Sequence, residues 1–126
     1  MEKQRIKIFI VDDDKNILRL YSLIFRLNGL LVVGKANNGI EAVKKLSNSI
    51  PKPDIIVMDY HMPIINGIET TKLILNMDKS FKILMVSGDP SIREEALSIG
   101  VSDFYEKSSN FKILCHKIKK IYNSSN

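Results

Sequence analysis

A chain of 126 residues fits one domain of ordinary size and can bury a single core. Its composition, 44% apolar and 26% charged, excludes a disordered chain of low hydrophobicity and high charge. The net charge of +5 comes from lysines spread along the chain, with only "KIKK" (Lys117 to Lys120) resembling a cluster, so a solvated surface explains it better than a nucleic-acid footprint.

Ile6 to Val11 is an apolar, β-branched run that predicts a first strand, and it ends in Asp12, Asp13 and Asp14. Asp14 precedes "KNILRLYSLIFRL", in which Ile17, Leu20, Tyr21, Ile24 and Leu27 recur at spacings of three and four. It predicts the cap of a first helix, with Gly29 as its stop. Leu31 to Val33 is short and polar-flanked and reads as an edge strand. Asn38 precedes a second helix, "GIEAVKKLSNS", with Ile40, Val43 and Leu46 on one face and Pro51 beyond its end. Asp54 to Met58 predicts the third strand, and Asn66 and Gly67 precede a third helix, "IETTKLILNM". Lys82 to Val86 predicts the fourth strand. Ser91 with Glu94 three residues on has the pattern of a capping box opening "IREEALSI", closed by Gly100. Val101 to Tyr105 is the fifth strand. Ser108 or Ser109 would cap a last helix with the stripe Phe111, Leu114, Ile118 and Ile121, and 122–126 would be a frayed tail.

Alternation of five strands with five helices predicts an α/β fold built on a parallel sheet, in which "IFIV", "IIVM" and "ILMV" are central strands covered on both faces. Ligands of such sheets bind at the carboxyl ends of the strands. There the sequence places Asp12, Asp13 and Asp14 after the first strand, Asp59 after the third, Ser87 and Gly88 after the fourth, and Lys107 after the fifth. Adjacent like charges at a buried strand end require compensation. Oxygen ligands of this kind suit Mg²⁺. A lysine, a hydroxyl and free loop N–H groups beside them suit a phosphoryl group, so the chemistry implied is phosphoryl transfer. Asp14 is assigned to the helix cap and not to the metal.

The segments "IFIVDDD", "PDIIVMDYHMPIINGIE", "ILMVSGD" and "GVSDFYEKS", in that order and at that spacing, resemble the receiver domain of two-component response regulators. The resemblance runs from about Ile6 to Ile121. It implies one domain over 1–126 with a doubly wound, flavodoxin-like sheet of strand order 2-1-3-4-5. By the same resemblance Asp59 is the phosphoacceptor, and Mg²⁺ is held by Asp12, Asp13, Asp59 and the backbone carbonyl of His61. Lys107 would pair with a phosphoryl oxygen, Ser87 would supply the switching hydroxyl, and Phe104 would be the aromatic switch. His61 and Asp89 occupy positions that tune loss of the phosphoryl group. The implied donor is a sensor histidine kinase or a phosphotransfer protein. The implied output surface, for a partner that the sequence does not identify, is about Ser91 to Gly100, Val101 to Tyr105 and Ser109 to Tyr122. The sequence departs from the family at Ser108, where proline usually follows the lysine. A cis bond there would cost about 2.5–4 kcal/mol.

One cysteine, Cys115, allows no intrachain disulfide, and no apolar run approaches the ~18 residues of a membrane span, so a cytoplasmic monomer or weak homodimer that binds neither membrane nor nucleic acid is expected. Cys115, His116 and the methionines Met58, Met62, Met77 and Met85 read as structural or surface residues. The competing enzymatic reading is a Mg²⁺-dependent phosphohydrolase with an aspartyl nucleophile. Such enzymes usually carry an aspartate two residues beyond the nucleophile, where this chain has His61.

Overall fold

Three strands of this chain have almost no polar face. β1 (Lys7–Val11), β3 (Ile55–Asp59) and β4 (Ile83–Ser87) are buried nearly throughout, as the continuous apolar runs require. They form the centre of a sheet whose edges are β2 (Leu31–Ala36) and β5 (Asp103–Glu106), in the order β2-β1-β3-β4-β5 with every pairing parallel. The helices are α1 (Lys15–Leu27), α2 (Gly39–Ser47), α3 (Gly67–Met77), α4 (Arg93–Ser98) and α5 (Phe111–Ser124), with a 3₁₀ turn at Pro90–Ile92 before α4. This computed structural model describes residues 4–48, 51–107 and 110–124. It has the doubly wound, flavodoxin-like topology expected.

Because strand side chains alternate between faces, each strand feeds two cores. Phe9, Val11, Ile56, Met58, Ile83, Met85 and Phe104 pack under α2, α3 and α4. Ile8, Ile10, Ile55, Val57, Leu84, Val86 and Tyr105 pack under α1 and α5. Met58 and Met85 are therefore core residues, and the Cys115 thiol is buried and free.

Several local expectations change. β2 runs three residues past Val33 to Ala36, because its pairing with β1 continues to Val11↔Ala36. The buried face of α1 is Leu18, Tyr21, Ser22 and Phe25, whereas Leu20 and Leu27 are exposed. With so many apolar residues on this helix, spacing admitted two overlapping stripes, and the sheet selected one. In α2 Ala42 is buried and Ile40 exposed; in α5 Cys115 replaces Phe111 on the buried face. The Ser91/Glu94 capping box is absent: Asp89 instead accepts from Ser91 N and caps the 3₁₀ turn, and α4 starts after it with no side-chain cap. Asn110 Oδ1 accepts from Ile113 N at the start of α5 (3.1 Å), while Ser108, Ser109 and the Lys107–Ser108 bond lie outside the described residues. α5 continues to Ser124, three residues into the segment expected to fray.

The other caps form as expected. Asp14 accepts from Asn16 N and Ile17 N, Asn38 accepts from Glu41 N, and Asn66 and Glu69 make a reciprocal capping box. Gly100, with φ +111°, turns the chain from α4 towards β5. Gly67 permits a close approach: its N–H bonds Tyr60 O at 2.8 Å, and a Cβ there would collide with the backbone of Asp59 and Tyr60. Gly67→Ala is predicted to destabilise the fold by about 1–3 kcal/mol in urea unfolding, since overpacking against backbone forces the strand end to move.

Candidate functional site

The parallel order brings the ends of β1 and β3 side by side, with Val11 paired to Met58, so the residues just beyond them face one crevice. Asp12 and Asp59 are nearly inaccessible there, at 2% and 3% exposure, while Asp13 is exposed on the lip. Carboxylate oxygens of the three lie within 4.8 Å of one another. Lys107 reaches in from the end of β5, its Nζ 3.0 Å from Asp59 Oδ1 and 3.9 Å from Asp12 Oδ2.

Each group is held by the backbone around it. Asp12 N donates to Ala36 O, and Asp12 Oδ1 accepts from Asp14 N at 2.9 Å. Tyr60 N, directly after Asp59, donates to Val86 O (2.9 Å). Lys107 N donates to Ser87 O (3.0 Å), which fixes the lysine against β4. Ser87 is fully buried, and its Oγ accepts from Asp89 N at 3.0 Å, leaving the hydroxyl proton free to donate elsewhere. His61 is exposed, with its ring edge-on to Tyr60. Its backbone carbonyl accepts no hydrogen bond among the described residues.

Three carboxylates here face one ammonium. Burial pushes the Asp12 carboxyl up from 3.8 to about 6, opposed by the Asp14 N–H and reinforced by the Asp59 charge. Burial likewise raises Asp59, against the lowering effect of the Lys107 contact. For Lys107, burial works against the charge, but Asp59, Asp12 and Asp13 outweigh it and hold the pKa above the ordinary lysine value. Asp12 Oδ2 is buried and accepts no hydrogen bond among the described residues. An orphaned carboxylate oxygen in an all-oxygen cluster is the donor set of a hard divalent cation.

A family model, the response regulator receiver domain, matches residues 8–119. The chain belongs to the response regulator receiver family. The chemotaxis protein CheY of Thermotoga maritima is 38% identical over 80% of this chain and 84% of its own length. The transcriptional regulatory protein LnrK of Bacillus subtilis is 36% identical over 93% of this chain, which spans 54% of LnrK. The response regulator domain of Thermotoga maritima CheB has a TM-score of 0.85 at 34% identity, covering 95% of this chain and 98% of that one. CheY in a CheX-CheY-BeF3-Mg²⁺ complex from Borrelia burgdorferi has a TM-score of 0.86 at 27% identity, covering 92% and 88%.

In this receiver domain the residues singled out from sequence divide clearly. Asp12, Asp13, Asp59 and Lys107 meet in the crevice, and Asp14 caps α1. Ser87 borders the crevice through its link to Lys107, whereas Phe104 is a buried core residue beside Met85, at 5% exposure. Sequence reasoning missed Asp89 as a cap, although "DPS" carries the signal of an aspartate before a proline-started turn.

In EDTA the folded chain is predicted to lose stability as pH rises from about 4 to about 7. Folded Asp12 keeps its proton up to about 6, while the unfolded chain releases it near 3.8, so the folded state binds more protons across that window. Asp12→Asn should flatten this dependence and raise stability at pH 7.5 by about 2–3 kcal/mol, read from urea midpoints.

Proposed function

We propose that the chain accepts a phosphoryl group on Asp59 from a phosphohistidine of a sensor histidine kinase or phosphotransfer protein in the cytoplasm, and that the phosphorylated state controls binding of a partner. The observation that carries this is the convergence of Asp12, Asp13 and Asp59 on one ammonium, with Lys107 Nζ 3.0 Å from Asp59.

An Asp59 carboxylate oxygen attacks phosphorus, the P–N bond of the donor breaks, and the imidazole leaves with the electron pair. Lys107 meets the incoming phosphoryl oxygens as a point charge, moving part of its pairing from Asp59 to the new anion. Ser87, whose hydroxyl proton has no acceptor among the described residues, donates to a phosphoryl oxygen. Asp12, Asp13, Asp59 and the His61 carbonyl would hold Mg²⁺, which supplies neutralisation of the phosphoryl charge in a site that is otherwise too acidic for it. The fit rests on the orphaned Asp12 Oδ2 and the unbonded His61 carbonyl. His61 and Asp89, two residues beyond Asp59 and Ser87, would bear on the lifetime of the acyl phosphate.

Phosphorylation then favours one of two conformations by binding it better. Two observations support a route to the α4–β5–α5 face: Lys107 N is bonded to Ser87 O, and Ser87 pairs with Glu106 in β5, two residues beyond Phe104. Any movement of Ser87 thus acts on the strand that carries Phe104. The phosphohydrolase reading has an exposed His61 where such enzymes usually carry an aspartate acid/base.

Incubation with a small acyl phosphate and Mg²⁺ should add one phosphoryl group of ~80 Da, because Asp59 is the nucleophile. Intact mass spectrometry should show no adduct with Asp59→Asn or in EDTA. An unchanged adduct on Asp59→Asn would move the acceptor elsewhere, and multiple turnovers on a phosphate ester would favour the hydrolase.

A further inference from the structure

The end of the sheet remote from the acidic crevice carries a recess built from three separate segments. The residues leading into β1, the turn from α1 to β2 and the last turns of α5 enclose about 430 Å³. Ile6 and Leu30 stand just before the amino ends of β1 and β2, whereas Asp12 lies beyond the carboxyl end of β1. The five residues of β1, at ~3.3 Å each, set the two places about 17 Å apart. The recess is no part of the acidic site.

Its frame is fixed before anything binds. α1 ends in a Schellman motif: Gly29, at φ +78°, donates to Arg26 O (3.1 Å), and Leu30 N donates to Phe25 O (2.9 Å). Asn28 Nδ2 closes on Ile24 O at 2.8 Å. The helix end therefore uses these carbonyls internally and does not turn them bare towards an anion. Leu31 N donates to Ile6 O at 2.9 Å, which locks the turn to the start of β1. Leu30 belongs to the core beneath α1 and α5, and Ile6 and Tyr122 pack on that core while staying half-buried. The recess thus opens onto apolar surface.

The charge around it has one sign. Arg5 and Lys119 line the recess, both are exposed, and neither has an ion-pair partner among the described residues. No carboxylate lines it. Lys117, two residues earlier on α5, is by contrast paired with Asp103. A guanidinium fork matches the geometry of a carboxylate, and the Tyr122 ring offers a flat face to a second ring. The volume falls within the ~300–1,000 Å³ of small-molecule sites, which combine apolar walls with a few placed polar groups. We infer that this recess binds a small planar aromatic carboxylate, with its ring on Ile6, Leu30 and Tyr122 and its carboxylate on Arg5 and Lys119. The site is independent of the reading of Asp59 as acceptor.

The test titrates the isotope-labelled chain with cinnamate, its uncharged analogue cinnamamide, decanoate and inorganic phosphate, read from backbone amide shifts. Cinnamate should saturate with a Kd of about 1 mM or below, the range open to a ligand of its size. The amides of Ile6, Asn28 to Leu30 and Lys119 to Asn123 should shift most. Cinnamamide and decanoate should each bind at least tenfold more weakly, and phosphate should not displace cinnamate at equal concentration. The double variant Arg5→Gln/Lys119→Gln should raise the cinnamate Kd at least tenfold and, because both side chains are exposed, keep its ligand-free Tm within about 3 °C of wild type. If that variant unfolds, the comparison of cinnamate with cinnamamide on the wild type still reads the charge requirement. Shifts that do not saturate at millimolar concentration, or that centre on the acidic crevice, overturn the proposal. So does an equal Kd for cinnamamide, an unchanged Kd in a folded double variant, tighter binding of decanoate, or displacement by phosphate. A ligand-free, concentration-dependent dimer that shifts the same amides overturns it as well, since a second copy would then be the occupant.

Discussion

The structure is organised around an electrostatic conflict: Asp12 and Asp59 are buried against one another at the rim of an apolar sheet, with one ammonium between them. Burial this deep, reinforced by the like charge of Asp59, favours protonation, which is why Asp12 is pushed to about 6. The arrangement persists because the neighbouring strands have no alternative packing. β1, β3 and β4 are apolar on both faces, and moving either aspartate outward would pull a strand end out of two cores at once. The two layers supply the stability that the rim consumes, and a cation or a phosphoryl group is the kind of ligand that such a rim suits.

Unmet interactions concentrate at that rim. Among the described residues the buried side-chain oxygens lacking a hydrogen bond are Asp12 Oδ2, Asp59 Oδ1, which has the Lys107 ammonium beside it, and Thr71 Oγ1. Ile64, in the loop that leads from β3 to α3, has φ +72°. Away from the rim a surface group such as Lys52 is well matched: it pairs with Asp78 at 2.7 Å, bonds Ser80 and sits over the Phe81 ring. Local inconsistency is tolerated where function benefits and is rare where it does not.

The face that would carry the output has a different character. α4 is six residues long, follows a 3₁₀ turn and has no side-chain cap, so it is held by the packing of Ile92 and Ala96 more than by its own hydrogen bonds. β5 is an edge strand tied to the crevice through Ser87 and Lys107. A short helix without a side-chain cap, beside a strand linked to the site, is held with little local redundancy.

Element order, the parallel sheet and the four crevice residues were legible in the chain, because continuous apolar strands can only be central and the residues immediately after them can only lie at their carboxyl ends. Caps made by local contacts, at Asp14, Asn38 and Asn66, were legible for the same reason: each depends on residues within three positions. The buried faces of α1 and α2 and the length of β2 were not, since each depends on which neighbour a segment meets; the cap at Asp89 is local and was overlooked. Leu20 and Leu18 are equally apolar, and only the sheet beneath α1 distinguishes them. The same holds for the aspartates after β1: the sequence announced a charged site and gave Asp14 to the helix cap, but Asp12 buried and Asp13 on the lip are assignments made by three-dimensional packing, because burial and charge separation are properties of neighbours and not of the residue.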